Sequence, residues 1–233
     1  MLITQNMKMA DVIHLNYKLL PVINRFEIEL GFGDSTVEEV CKINKVNVHF
    51  FLEIVNAFND KDYFPKKNLQ QFSVSLIVNY LQKNHLYYIS EIIPHIEKTI
   101  DSLCINTQNI ILLKNFFEEY KKELFAHIDR EENVVYPYVI EIEKLIKSKK
   151  TKQNQNKYSI DIFADEHDNI EDKLFDLKNI IIKYLPCSTE ASVYNKILYD
   201  LFTLEKDLND HSRIEEKVLI PKVRNIEKSL KNS

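Results

Sequence analysis

Apolar residues recur at three- and four-residue intervals through most of the chain. From Leu69 onward they do so over four long stretches, residues 70–100, 107–147, 159–184 and 190–229. That period gathers the apolar positions on one face of an α-helix. The breaks are CINT, the polar run KSKKTKQNQNKYS and PCSTE, all short beside the stretches they join. Long amphipathic helices with short connections predict an all-α fold, an antiparallel up-down four-helix bundle. Ahead of it, residues 9–26 and 48–58 hold the period for only a few turns. Between them LGFGDSTVEEV contains both glycines of the chain, Gly31 and Gly33, which suit a tight turn. Ser35 or Thr36 there can cap a short helix, with Glu38 or Glu39 at the third position. Residues 1–62 therefore read as a small helical N-terminal domain, DKDYFPKKN as a linker, and residues 63–233 as the bundle.

The apolar stripes contain residues that do not belong in a core. His85, His127, His167 and His211 fall one to each long stretch, 40 to 44 residues apart. In an up-down bundle such even spacing puts all four near mid-height. His85 continues the line of Val78, Leu81, Tyr88 and Ile92, and His167 that of Phe163, Ile170 and Leu174. His127 sits among Leu124, Ile128 and Val135, and His211 among Leu204, Leu208 and Val218. All four face inward. Glu131 and Glu215 each follow a histidine by four residues, a spacing that leaves both side chains on one helical face. A carboxylate buried alone is prohibitively costly, so it must be protonated, paired with a cation or bound to a metal.

Four imidazoles and two carboxylates at one level suit two metal ions, each held by two histidines, with both carboxylates bridging. That set leaves coordination positions open for a bridging oxygen and for O₂, NO or peroxide. Imidazole and carboxylate without thiolate, with open positions, favour non-haem iron over structural zinc, and leave manganese as an alternative. Glu123, one turn before His127, and Glu166, beside His167, are candidates to hold the rear nitrogens of the histidines or to relay protons. Glu132 and Glu216 fall 100° off the stripe and are expected at the surface or in interhelix pairs. Pro137 and Pro221, each ten residues past a histidine, predict a bend or a helix end. Tyr88, Tyr136 and Tyr138 read as core-filling aromatics near the site. His95, His14 and His49 are expected to stay outside it.

Composition narrows the rest. Two glycines and six prolines in 233 residues disfavour sandwiches, barrels and glycine-rich nucleotide loops. A formal charge of −4 gives no footprint for nucleic acid. Cys41, Cys104 and Cys187 are far apart and form no CxxC, which fits a reducing compartment. The N-terminus lacks the pattern of a signal peptide, and no apolar run reaches the ~20 residues of a membrane span. The chain reads as cytoplasmic and soluble.

The segments NHLYYISEIIP at His85, HIDREENVVYP at His127, DEHD at His167 and HSRIEEKVLIP at His211 together resemble the hemerythrin-like cation-binding proteins. They are most similar to the branch that repairs iron centres. The resemblance implies an oxo- or hydroxo-bridged non-haem di-iron centre and a role in recovering iron–sulfur clusters after nitric oxide or oxidative damage, with iron–sulfur proteins as clients. That branch commonly carries adjacent cysteines in its N-terminal domain, whereas ELGFGD here has none. The domain is instead expected to serve in docking or as a homodimer surface, with Phe32 presented outward. A sensor that holds O₂ or NO reversibly without turnover is the alternative reading. A metal-free scaffold is a third, for which Glu131→Gln or Glu215→Gln would be neutral or stabilising.

Overall fold

The computed structural model describes residues 1–103, 108–148, 158–165, 170–185 and 191–231. Among them the regular structure is helical, with one isolated β-bridge between Lys8 and Thr36. The N-terminal segment contributes α1 (Met9–Leu15), a 3₁₀ turn (Tyr17–Leu19), α2 (Leu20–Asn24), α3 (Val37–Ile43) and α4 (Val48–Asn59). Thr36 caps α3 by accepting from the Glu39 amide, and the Glu39 carboxylate returns the bond to the Thr36 amide. The connection after residue 60 is tied down: Glu53 of α4 accepts from Tyr63 and Asn68. The short α5 (Lys66–Leu69) lies within it.

The bundle follows. α6 (Val74–Tyr87) runs through a widened π turn (Tyr88–Ile92) into α7 (Ile93–Asp101), and α8 (Gln108–Arg130) runs through Glu131–Val135 into α9 (Tyr136–Lys147). α10 (Ile160–Asp165) and α11 (Ile170–Tyr184) come next. α12 (Ala191–Ile214) then passes through Glu215–Leu219 into α13 (Ile220–Lys231). α8 packs against α7 and α11, and α12 packs against α11 and α7. At the other end α9 packs against α6 and α13, and α13 against α10.

Each π turn starts three or four residues after a histidine and stops two residues before a proline: Pro94, Pro137 or Pro221. A proline inside a helix lacks its N–H and collides with the carbonyl of the previous turn, and one widened turn ahead of it relieves both faults. The sequence predicts a bend or a helix end at Pro137 and Pro221. The structure makes it a continuous helix with a bulge and repeats the device at Pro94.

Packing divides into two apolar clusters. One holds Tyr88, Ile96, Leu113, Phe117, Leu124, Leu174, Leu201 and Leu204. The other joins Leu81, Tyr136, Val139, Val218 and Val223 to N-terminal residues such as Met9, Ile23, Val40, Phe51 and Val55. Residues 1–62 thus share a core with one end of the bundle. Phe26 and Phe50 lie with ring centroids 5.3 and 6.1 Å from that of Tyr80 on α6. Arg25 is buried in a bidentate pair with Asp207 of α12. Phe32, expected to face outward, is half-buried and packs on this core. The histidine–glutamate layer lies between the two clusters.

Candidate metal centre

Three π turns and the helices before them aim side chains into this layer. α6 supplies His85, α8 and its π turn supply His127 and Glu131, and α12 and its π turn supply His211 and Glu215. The widened turn matters for placement. It begins at Glu131 and at Glu215, so each acid leaves the α-helix at the point where its histidine faces inward.

Ligating atoms of His85, Glu131 and His211 all lie within 4.8 Å of one another, and all three residues are buried. The Nε2 atoms of His85 and His211 are 3.3 Å apart. Glu131 bridges helices: Oε2 is 3.0 Å from His85 Nε2 and Oε1 is 2.9 Å from His127 Nε2. Glu215 Oε2 is 3.5 Å from His211 Nε2, and its Oε1 accepts a 2.7 Å hydrogen bond from the Tyr136 hydroxyl. The Tyr136 ring stacks on His85, with planes 8° apart. Tyr88 meets the His211 ring edge-on at 5.9 Å. A cavity of about 10 Å³ opens beside His85, His127 and His211, walled by Leu124, Ile128, Ile170 and Leu208. Room for one water-sized group is all it offers.

Both inward rings are held from behind. His85 Nδ1 is 2.7 Å from Glu132 Oε1, and Glu132 is steadied by Gln82 of the facing helix. His211 Nδ1 is 3.1 Å from the Asn84 amide. Asn84 is fully buried, and its Oδ1 has no partner in the orientation with Nδ2 toward the ring. Turning the amide over lets Oδ1 accept from His211 Nδ1–H. In that orientation the Nε2 lone pair of His211 points to the same spot as that of His85.

The electrostatics agree. Burial opposes a charge on His85, but its hydrogen bonds to Glu131 and Glu132 prevail and push its pKa up to about 9. Burial and the nearby Glu215 both oppose ionisation of Glu131. Hydrogen bonds from His127 and His85 prevail and hold it below the ordinary carboxylate range. Glu132 is likewise held low: burial opposes its charge, and the bond to His85 outweighs it. Ionised acids gathered around imidazole nitrogens need a positive charge at the centre, carried by a protonated imidazole or by a metal ion. With both rear nitrogens held and a carboxylate between the rings, the donor set fits a metal ion.

The match to the family model titled hemerythrin HHE cation binding domain spans residues 88–223, which include His127, Glu131, His211 and Glu215. The chain belongs to the hemerythrin HHE family. The hemerythrin chain is also 20% identical over 197 residues to an iron-sulfur cluster repair protein, ScdA, of Staphylococcus haemolyticus (strain JCSC1435), covering 82% of this chain and 85% of that one. Among the described residues no helix is long and apolar enough to cross a membrane.

Of the residues expected at the site, His85, His127, Glu131, His211 and Glu215 meet in one layer. His167 and Glu166 lie outside the described residues. Glu123 does not join the layer. It is half-exposed and pairs with Lys173 of α11, because one turn before His127 the helix already presents that position to the neighbouring seam. The rear support of His85 comes instead from Glu132, expected at the surface or in an interhelix pair. Asn84 was passed over, although it continues the buried line of Ile77 and Leu81. Tyr138 sits away from the layer and donates to Glu227. His95 is half-exposed beside Asp200, 3.4 Å away, and His14 and His49 are exposed.

Proposed function

We propose that this hemerythrin domain holds two non-haem iron ions within an up-down four-helix arrangement and serves the recovery of iron–sulfur clusters after nitrosative or oxidative damage. His85, His127, His167 and His211 would hold the two irons through imidazole nitrogens, with Glu131 and Glu215 as the carboxylate ligands. The observation that carries this reading is the convergence of the His85 and His211 Nε2 atoms beside buried Glu131, each ring fixed from behind. Iron bound there supplies electron exchange with O₂, NO or peroxide, or is itself passed to a damaged cluster. The protein's own groups set the terms. Tyr136 fixes one oxygen of Glu215 by hydrogen bonding, and Glu132 holds the proton on His85 Nδ1. The apolar walls of the small cavity leave room for one water-sized group beside the histidines. The repair role rests on the likeness to the repair protein. A reducing cytoplasm suits it, and Cys41 is a buried thiol, pushed up to about 12 by that burial. Self-association through residues 1–62 would use the side carrying exposed Leu30 and Ile43, since the opposite side is covered by the bundle.

Aerobic purification followed by metal analysis and visible absorption tests the centre. About two irons per chain with an oxo-bridge band are expected, with iron lost in His127→Ala and in Glu131→Gln. An iron-free protein whose stability ignores chelator and rises in Glu131→Gln would leave only the scaffold reading.

Reversible sensing of O₂ or NO is the second reading. It is favoured by buried Arg25, which ties the N-terminal segment to Asp207, one turn before His211. Stopped-flow mixing of the reduced protein with each gas separates the two: a reversible adduct without turnover supports the sensor.

A further inference from the structure

Away from the histidine layer, a polar cleft of about 240 Å³ lies between the N-terminal segment and α6. Its floor includes the buried side chains of Arg25 and Tyr80, and its mouth carries Glu27, Lys45, Asn79 and Lys83. Donors outnumber acceptors. Glu27 is taken up by Lys83. Arg25 gives both terminal nitrogens to Asp207, which does not line this cleft. Arg25 and the Tyr80 hydroxyl, both buried, interact with each other, and Lys45 has no anionic partner among the described residues.

The backbone adds an independent sign. Among the described residues only two other than glycine have positive φ, Glu27 at 60° and Lys45 at 57°, and both border this cleft. Lys45 directly follows the last turn of α3, and the Val46 amide closes onto the Cys41 carbonyl. Glycine is the usual residue there, because an L side chain is strained in the left-handed region. A lysine kept at a glycine position gives up stability and gains a cation at the mouth of the cleft. Strain of this kind gathers at ligand sites.

We propose that this cleft binds a small oxyanion, a carboxylate or phosphate group on a compact carbon body. Lys45 and Asn79 grip the anionic oxygens, the buried Arg25 guanidinium lies beneath them, and Phe50 offers an apolar wall. The volume falls below the ~300 Å³ at which pockets take drug-sized ligands, which restricts the occupant to a few carbons. The proposal does not depend on iron.

Titration calorimetry on the full chain tests it, with inorganic phosphate and succinate as probes and neutral succinamide as control, at low salt and at about 0.15 M. Saturable one-to-one binding of at least one anion is expected, with none of succinamide; the tighter anion tells phosphate from carboxylate. Lys45→Gly should weaken binding about tenfold while raising the thermal midpoint, two effects of opposite sign that no purely structural role would give. Asn79→Leu should also weaken it with iron content unchanged. Absence of saturable binding by both anions, or undiminished binding in Lys45→Gly, would overturn the proposal.

Discussion

A histidine that offers its Nε2 lone pair to a metal keeps its proton on Nδ1, and a neighbour must hold that proton in place. The two converging rings solve this differently: His85 has the Glu132 carboxylate and His211 the neutral Asn84 amide. A carboxylate raises the basicity of its imidazole more than an amide does, so the two rings are unequal donors to a shared ion. Asn84→Leu keeps the volume and removes the support. It is expected to lower metal affinity by about 10- to 100-fold in chelator competition, whereas Asn84→Asp should retain or tighten it. Equal affinities for the three proteins would show that Asn84 only packs. The five histidines and acids that meet here were legible from helical periodicity, because a polar residue on an apolar stripe advertises itself. Glu132 was not, since its role depends on which neighbouring helix it faces, and no single helix records that.

Glu143 shows the same limit at the level of elements. It belongs to α9 yet caps α6: its carboxylate accepts from the Val74 and Ser75 amides and from the Ser75 hydroxyl. The first amides of a helix have no partners within it, and an anion placed there also meets the positive end of the helix dipole. Burial opposes the charge, but these hydrogen bonds prevail and hold Glu143 below its ordinary value of 4.5. Its stabilising contribution is therefore fully present above that value and lost as pH falls through the lower, folded one. Glu143→Gln should cost about 1 to 2 kcal/mol at pH 7. In urea titrations the gap from wild type should close as the pH drops below 4.5. A gap that does not change with pH would mean the loss is one of packing. The end of α9 at Lys147 was legible in the sequence, whereas the start of α6 at Val74, read at residue 70, and a cap supplied from 68 residues away were not. The prolines told the same partial story: Pro137 and Pro221 marked two disturbed helices, while the third at Pro94 and the π turns themselves were left to be found in the backbone.

The whole molecule turns on how residues 1–62 meet the bundle. Their short amphipathic helices would look the same in sequence whether they packed on each other alone or on a neighbour, so the pattern suggested a separate domain. The structure continues one apolar cluster from α1–α4 into α6, α9 and α13. At the seam the Arg25 guanidinium lies 4.7 Å from the Tyr87 ring centroid while gripping Asp207. Removing one member of such a pair strands the other charge, which costs about 3 to 5 kcal/mol, whereas replacing both with apolar residues of similar volume is often neutral. Arg25→Met is therefore expected to lose about 3 to 5 kcal/mol, and Arg25→Met combined with Asp207→Leu to recover most of it. Because the core is shared, wild type should unfold in one transition, with fluorescence and circular dichroism curves coinciding. If the N-terminal segment were an independent unit, Arg25→Met would instead split the curve, melting a small fraction of the helix early and leaving the midpoint of the bundle where it was. The double variant gives a second reading. Should it fold and bind iron as wild type does, the ion pair fixes how the segment sits. Should it fold but lose iron, the line from Arg25 through Asp207 to His211 reaches the metal layer, and the N-terminal segment is a working part of the centre.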